Sequence, residues 1–318
     1  MTVSSKNPPF AIAHELIQGN LGGGPHATAP SIPGYPRVPL RDRIRVNEFL
    51  AGDLCSPDLD RIADRLWWMS KQDSSNISPL HRQLVKQRAI VITEDPKLHL
   101  VWIQNRIFIK PLPRYIMSHA FWQDYLRGDD KESVPRRINR AALGLIRTYA
   151  HLIQYESDLR IAQDPSLRLL PPDITWEQFS NFTSTFTDIR DDDVSPRYAF
   201  GEIRLTRLNL YAPVLLGRPH FQRVESQYGA YFARFYGPLL FFIGMTSVIL
   251  SAFQVCVAVE QTQGSSILQG TAFWFGIVVI VVFVVVFAIF CWAWFWKITK
   301  EWRFAIHDRL RLLEEGRV

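Results

Sequence analysis

Residues 235–259 of this chain read FYGPLLFFIGMTSVILSAFQVCVAV, an uncharged run of 25 residues. A second uncharged run, of 26 residues, occupies 271–296 and reads TAFWFGIVVIVVFVVVFAIFCWAWFW. A helix needs about 20 consecutive apolar residues to cross the ~30 Å hydrocarbon core of a bilayer. Both runs exceed that length, so the sequence predicts an α-helical transmembrane hairpin with spans at about 235–259 and 271–296.

Charged residues around the two runs predict how such a hairpin would be oriented. The connection 261–270 carries no charged residue, whereas basic residues precede the first run and follow the second: Arg218, Arg223, Arg234, Lys297, Lys300 and Arg303. Lys and Arg accumulate on the cytoplasmic side of membrane proteins. The sequence therefore predicts a multi-pass integral membrane location with both termini cytosolic, in an organelle that the sequence leaves open.

The rest of the chain divides by composition. Residues 1–40 are rich in Gly and Pro, which predicts a disordered N-terminal arm because such a composition buries little apolar surface. The helix and strand patterns of residues 41–216 predict one cytosolic α+β domain. Residues 217–304 are interpreted as a juxtamembrane segment followed by the hairpin, and 305–318 as a cytosolic tail.

Hydrophobic periodicity assigns elements inside the α+β domain. Three runs rich in Val, Ile and aromatic residues, 89–93, 98–103 and 106–110, predict a small three-stranded antiparallel meander. The apolar spacing and the start signals Ser56-Pro57, Ser78-Pro79, Pro135 and Thr175 with Gln178 predict helices, the longest running from Pro135 to about Gln163. A last helix is predicted over Gly201 to Leu216.

The net charge is modest, with 36 Lys and Arg against 30 Asp and Glu, so binding of nucleic acid is not predicted. Basic residues are concentrated after the acidic run Asp191 to Asp193, at Arg197, Arg204, Arg207, Arg218 and Arg223. We interpret these five as a lipid-facing basic patch, because each basic group near an anionic leaflet adds about 1 kcal/mol of attraction. An alternative stays open, in which these arginines follow the positive-inside bias of membrane proteins and form ion pairs with the aspartates inside the domain.

Small and polar residues recur within the first run at spacings of three and four, which places them on one helix face: Gly244, Ser247, Ser251, Gln254 and Ala258. Close backbone approach and polar contacts drive association of helices in lipid. We therefore interpret these residues as a helix-packing seam, within the hairpin or between two copies of the chain.

Signatures of catalysis are absent from the sequence. It contains no Walker loop, no G-x-G-x-x-G, no G-x-S-x-G elbow and no Cys/His spacing typical of zinc. The run Asp191 to Asp193 is interpreted as a solvated loop and not as a cation site. No enzyme activity, cofactor or metal is predicted.

Several motifs together resemble an uncharacterised family of fungal two-span integral membrane proteins that carry a domain of unknown function. The motifs are HRQLV at 81–85, TEDP at 93–96, LHLVW at 98–102, RIFIKPLP at 106–113, DDDVSPRY at 191–198 and QYGAYFARFYGP at 227–238. The resemblance covers residues 45 to 300. It implies a fungal origin and a membrane location, and it brings no activity or catalytic residue.

The order of a large domain before two spans is also similar to that of CorA-type magnesium channels. That family carries Gly-Met-Asn at the outer end of its first span, whereas Gly244-Met245-Thr246 lies here in mid-span. Our interpretation is a non-enzymatic, membrane-tethered adaptor or organising subunit, and the alternative is a subunit of an ion channel or transporter. The expected partners are the lipid bilayer, including anionic lipid, and a second copy or another membrane protein.

Overall fold

The computed structural model describes residues 8–17, 30–70, 73–127, 134–222 and 228–260, together with 270, 274, 277, 278, 281, 282, 284–286, 288, 289 and 292. The chain divides into two compact units, 1–222 and 223–318. In the first unit helices surround a small mixed sheet, so the α/β content matches the predicted combination of helices and strands.

The sheet of the first unit has four strands: β3 (Ala89–Ile92), β4 (Val101–Ile103), β5 (Arg106–Ile109) and β6 (Ile203–Arg204). Their order in the sheet is β3-β5-β4-β6. Strands β4 and β5 pair antiparallel, whereas β3 pairs parallel to β5 and β6 pairs parallel to β4. A separate hairpin joins β1 (Ser31–Ile32) to β2 (Tyr35–Pro39).

The three predicted strands form, but the predicted meander is wrong. Strands β4 and β5 are joined by the tight turn Gln104-Asn105, with Gln104 at a φ of 53°. The connection from β3 to β4 spans 93–100 and includes a 3₁₀ helix at Pro96–Leu98. Hairpins usually have loops of about 2–5 residues, so this longer connection lets β4 lie one strand away and β5 return between β3 and β4.

Eight α-helices of the first unit are described: α1 (Arg43–Leu54), α2 (Pro57–Arg61), α3 (Leu80–Val85), α4 (His119–Tyr125), α5 (Val134–Leu152), α6 (Glu156–Ala162), α7 (Trp176–Thr183) and α8 (Leu205–Leu215). Short 3₁₀ helices lie at Ile12–His14, Ala63–Trp68, Arg114–Met117, Phe186–Asp188, Asp191–Asp193 and Pro196–Ala199. The predicted helix over Gly201 to Leu216 instead begins with strand β6.

Helix α5 is the centre of the core. The apolar residues whose spacing predicts a helix from Pro135 are all buried: Ile138, Ala141, Ala142, Leu145, Tyr149 and Leu152 on α5, and Leu159 on α6. The helix packs against α1 and α7, and the Tyr149 hydroxyl donates to the backbone carbonyl of Lys110 at 2.7 Å. This last bond ties the helix to the end of strand β5.

The long predicted helix from Pro135 to Gln163 is interrupted between α5 and α6. The buried carboxylate of Asp158 accepts hydrogen bonds from the backbone N–H groups of Gln154 and Tyr155, both at 3.1 Å. Asp158 thereby caps the start of α6 as in a capping box, in which an acidic side chain in the first turn accepts a hydrogen bond from the backbone N–H of the N-cap residue. Asp158 therefore stabilises a new helix start where periodicity alone predicted continuity.

Two parts of the predicted disordered arm are packed. Phe10 and Ile32 are both buried in the core, and residues 31–39 form the hairpin of β1 and β2. The physical reason is that a few apolar residues in this Gly/Pro-rich stretch find apolar partners in the rest of the unit. The remaining residues of the arm, 1–7 and 18–29, lie outside the described part of the chain.

The second unit contains helix α9 (Tyr228–Glu260). Within the described residues, no helix has the length and apolar character that a bilayer crossing requires. Most of the second predicted span, 271–296, lies outside the described residues.

That finding contradicts three linked predictions from the sequence. The transmembrane hairpin, the membrane and transmembrane character, and the multi-pass membrane location with both termini cytosolic are wrong on the described residues. All three rested on hydropathy along the chain.

Candidate interaction surface

The exposed side of α8 carries an apolar and aromatic centre between two arginines. Leu208 and Ala212 face the core, whereas Leu210, Tyr211 and Val214 are 69%, 39% and 82% exposed. Residues three and four apart lie on the same side of a helix, so Arg207 lies one turn before this centre. Arg218 follows the end of the helix, just after Gly217.

Two tryptophans extend this centre onto the neighbouring 3₁₀ helix Ala63–Trp68. The Trp68 ring lies 6.0 Å from the Tyr211 ring, and the Trp67 ring lies 5.0 Å from that of Trp68, both edge to face. Trp67 is 51% exposed. We call the set Trp67, Trp68, Arg207, Leu210, Tyr211, Val214 and Arg218 the aromatic–arginine surface.

Hydrogen bonds hold the two arginines in place. Arg207 donates to the backbone carbonyl of Trp68 at 2.8 Å, and Arg218 donates to the Asp58 carboxylate at 2.7 Å. Asp58 also lies 3.8 Å from the guanidinium of Arg61. One carboxylate therefore faces two guanidinium groups at this edge of the surface.

The end of α8 is fixed by Gly217 and Asn209. Gly217 has a φ of 65° directly after the helix, a conformation that glycine adopts without steric cost at helix ends. The side chain of Asn209 accepts from the N–H groups of Phe221 and Gln222 and donates to the Gln222 carbonyl, at 2.9, 3.0 and 3.0 Å. These bonds hold residues 221 and 222 against the side chain of Asn209 in α8.

Only part of the predicted basic patch lies on this surface. Arg207 and Arg218 belong to it, whereas the guanidinium of Arg204 lies over the Trp102 ring at 5.2 Å from the centroid. Arg197 is buried and cannot face lipid in this fold. Arg223 lies outside the described residues. A lipid-facing role for the exposed arginines stays a prediction.

Burial of Arg197 has a structural explanation. Its guanidinium donates to the backbone carbonyls of His99 and Phe200, both at 3.0 Å, and of Gly201 at 3.3 Å. Burial lowers the pKa of Arg197 to about 10, so the side chain remains a cation at neutral pH. It joins the loop before β4 to the segment before β6.

The predicted seam residues Gly244, Ser247, Ser251, Gln254 and Ala258 all lie on α9 and are exposed. Around Gly244 there is open space, since an added Cβ would meet no atom within 4 Å. Their role in helix packing stays a prediction.

One group of buried ionisable side chains surrounds Lys110. The Lys110 ammonium donates to the Asp53 carboxylate and to the Glu94 carbonyl, both at 2.8 Å, and the Tyr115 hydroxyl donates to Asp53 at 2.5 Å. Burial, with the charge of Asp53, raises the pKa of Tyr115 well above its usual value. The group ties α1 to the end of β5, and each member already has a partner.

A second buried group surrounds Glu202. Its carboxylate accepts from the Ser78 N–H and the Gln83 side chain, both at 2.9 Å, and from Arg88 at 2.8 Å. The Arg88 guanidinium also lies over Trp102, 4.1 Å from the ring centroid. Buried charges are retained in proteins when they are paired and hydrogen-bonded, so this group joins α3 to β6.

The described residues include no group of three or more His, Cys, Asp or Glu side chains placed to hold a metal ion. The acidic run that the sequence placed in a loop forms the 3₁₀ helix Asp191–Asp193, and Asp191 pairs with Arg147 at 2.8 Å.

Residues 46–283 match the model of a family of unknown function, DUF6601. The match covers most of the chain, and the chain belongs to this family. No curated protein and no solved structure matches it. The family range includes the whole aromatic–arginine surface, whose apolar members sequence reasoning missed. Their signal was the pattern of α8, where Leu210, Tyr211 and Val214 have helical spacing opposite Leu208 and Ala212.

Proposed function

We propose that this protein is a non-enzymatic adaptor that binds a protein partner through the aromatic–arginine surface. The observation that carries the proposal is the exposed centre of Trp67, Leu210, Tyr211 and Val214 between Arg207 and Arg218. Trp, Tyr and Arg are the residues that dominate binding energy at protein interfaces. Contiguous apolar patches on soluble domains mark interaction sites.

The partner's complementary surface follows from the charges. Apolar side chains would cover Leu210 and Val214, and carboxylates would face Arg207 and Arg218, because opposite charges across an interface speed association and exclude wrong partners. The hydrogen bonds of the Asn209 side chain to residues 221 and 222 fix the segment that follows α8. A surface that is already rigid loses less conformational entropy when a partner binds.

Val214→Asp tests the proposal against Val85→Asp as a matched control. Both valines are exposed residues in the last turn of a helix, at 82% and 78%. Val85 lies on α3, which contributes no residue to the aromatic–arginine surface. Proteins retained from lysate by the immobilised full chain are quantified, and each reproducible candidate is then purified and titrated. We expect a partner whose affinity falls at least about 30-fold with Val214→Asp and stays unchanged with Val85→Asp.

Equal affinity for the two variants, or no purified protein that distinguishes them, would refute the adaptor proposal. Binding of the chain to vesicles of anionic lipid that Val214→Asp abolishes would also refute it, in favour of the lipid partner that the sequence predicted. A subunit of a channel or transporter needs spanning segments, and no observation on the described residues favours it. The fungal origin implied by the resemblance stays a prediction.

A further inference from the structure

The two edges of the four-stranded sheet differ in how they are covered. At the β6 edge the Arg204 N–H donates to the Met69 carbonyl at 2.9 Å, and Ile203 forms an isolated antiparallel bridge with Ser70. At the other edge β3 pairs with β5 on one side, and no described strand or bridge lies on its other side. The sheet therefore has one covered edge and one edge that the described residues leave open.

The backbone groups on the open side of β3 belong to Ile90 and Ile92. The N–H groups of Ala89 and Thr93 donate to carbonyls of β5 and of the residue before it, at 3.1 Å for Thr93 and 2.7 Å for Ala89. The N–H and C=O groups of successive residues in a strand point alternately to its two sides, so those of Ile90 and Ile92 point away from β5. None of the described residues forms a hydrogen bond with these groups. Such a row of free N–H and C=O groups is a template for another extended chain.

The sequence of β3 lacks the features that protect edge strands. Native edges are kept from pairing by charged side chains, proline, bulges or a very short strand. Residues 89–93 read AIVIT, with no charge and no proline, and the pairing of β3 with β5 is regular along the whole strand. By contrast, β6 has two residues, of which Arg204 is charged and exposed. Ile92 is 40% exposed, so β3 presents an apolar side chain where an edge strand is usually polar.

The pattern of β3 is self-complementary in one antiparallel register. When the Val91 residues of two copies lie opposite each other, Ile90 of each copy lies opposite Ile92 of the other. Both isoleucines carry outward backbone groups, so each of these pairs exchanges two N–H···O=C bonds. Opposite side chains lie on the same face and pack together, and no like charges meet because 89–93 are uncharged. A second copy of this chain therefore fits the open edge in both backbone and side chains.

We propose that two copies of this chain associate through antiparallel pairing of their β3 strands. The pairing joins the two four-stranded sheets into one continuous sheet, with the two-fold axis between the Val91 residues. The same patch is used by both copies, so the interface closes after two copies. Growth beyond a dimer is prevented because the β6 edge of each sheet is already covered.

A dimer of this kind carries two copies of the aromatic–arginine surface. Helix α8 begins directly after β6, at the edge of the sheet opposite to β3, so pairing through β3 leaves both surfaces free. Two linked sites bind a repeated or dimeric partner more tightly than one site does. That gain depends on the proposed function, whereas the dimer itself does not.

Sedimentation velocity of the purified full chain over about 1–100 µM tests the dimer. Ile92→Pro removes an outward N–H and leaves the ladder with β5 intact, because proline is tolerated in edge strands where the N–H faces away from the sheet. Ile92→Thr is the matched control, since it keeps the N–H and a β-branched side chain. We expect a monomer–dimer equilibrium whose dissociation constant rises at least about 30-fold with Ile92→Pro and at most about fivefold with Ile92→Thr.

A disulfide tests the register without depending on the folding of the proline variant. Val91→Cys, in a chain whose three native cysteines are replaced by alanine, places two thiols across the two-fold axis. Their Cα atoms would be about 4.5 Å apart, within the range for a disulfide. Ile90→Cys is the control, because its two copies lie diagonally at about 7–8 Å. We expect a covalent dimer after mild oxidation of Val91→Cys and none with Ile90→Cys.

Several results would overturn the proposal. One is a wild-type chain that stays monomeric over this range, including one whose β3 edge pairs with a different protein instead. Another is equal weakening by Ile92→Pro and Ile92→Thr, since the outward N–H would then contribute nothing. A third is the absence of a covalent dimer with Val91→Cys. Val214→Asp should leave the dimer unchanged, and a dimer that it abolishes would be formed by the aromatic–arginine surface and not by β3. Failure of the adaptor proposal appears only in the partner titration, so the two proposals can fail separately.

Discussion

The backbone N–H of Lys110 donates a hydrogen bond to Nδ1 of His99 over 3.1 Å. A backbone N–H can only donate, so Nδ1 must carry a lone pair and the proton of the neutral ring must lie on Nε2. That nitrogen lies 2.8 Å from the Thr148 hydroxyl, which donates in turn to the Leu145 carbonyl at 2.6 Å. The buried imidazole is thus held in one tautomer, as a neutral link between the sheet and α5.

This arrangement predicts a loss of stability in mild acid. Burial, with the charges of Arg197 and Lys110, lowers the pKa of His99 well below its usual 6.5. Below pH 6.5 the unfolded chain therefore binds a proton that the folded chain does not, and the free energy of unfolding falls as the pH falls. The slope for one such group is up to about 1.4 kcal/mol per pH unit.

Urea unfolding between pH 5 and 7 measures this slope. His99→Gln removes the titrating ring, so we expect lower stability at pH 7 but a shallower fall below pH 6.5. His151 contributes in the same direction, because burial and Arg147 lower its pKa. An identical slope in the wild type and in His99→Gln would contradict the prediction.

A second prediction concerns the buried carboxylate of Glu202. Glu202→Ala leaves Arg88, Gln83 and the Ser78 N–H without their shared acceptor. Removing one partner of a buried ion pair costs about 3–5 kcal/mol because a charge stays buried and unpaired. The control is Glu156→Ala, which removes an exposed pair with Arg160 and should change the free energy of unfolding by about 0.5 kcal/mol or less. Urea unfolding measures both variants. Similar losses of unfolding free energy would contradict the role of Glu202 as the buried acceptor of this group.

Local signals in the sequence predicted local structure well. The capping box of Thr175 and Gln178 was predicted and is present at the start of α7, and the apolar stripe of α5 is buried as predicted. Both follow from residues within one or two turns of each other, so their partners are fixed by helix geometry.

Contacts between distant residues could not be predicted in the same way. The parallel pairing of β3 with β5 depends on how eight connecting residues cross the sheet, and no local pattern encodes that path. Burial of Arg197 depends on three carbonyls, of which that of His99 lies 98 positions away in the chain. Counting charges along the sequence therefore placed Arg197 on a surface patch, although its partners are in the core.

The capping box gives a third prediction. The Thr175 hydroxyl accepts from the Gln178 N–H at 3.3 Å, and the Gln178 side chain accepts from the Thr175 N–H at 2.9 Å. Thr175→Ala should lower the free energy of unfolding by about 1 kcal/mol. Thr175→Ser keeps the hydroxyl and serves as the control, with little expected loss. A loss in the serine variant as large as in the alanine variant would assign the effect to the methyl group instead of the cap.

The close contact of α5 with Tyr198 gives the last prediction. A Cβ added at Gly144 would lie 2.2 Å from Cδ2 and 2.4 Å from Cγ of the buried Tyr198 ring. Such a distance requires the ring or the helix to move, so Gly144→Ala should cost about 3 kcal/mol by overpacking. Gly52→Ala is the matched control in α1, since its Cβ meets nothing within 4 Å, and it should stabilise the protein by about 0.5 kcal/mol.

A double-mutant cycle separates the clash from helix propensity. Tyr198→Ala alone lowers stability because it removes buried aromatic surface, but it also removes Cγ and Cδ2, the two atoms that would lie nearest to a Cβ at position 144. We therefore expect Gly144→Ala to cost at least about 1 kcal/mol less in the Tyr198→Ala background than in the wild type. Additive losses in urea unfolding would show that the two residues do not meet, and that α5 does not pack on the 3₁₀ helix Pro196–Ala199 through this contact.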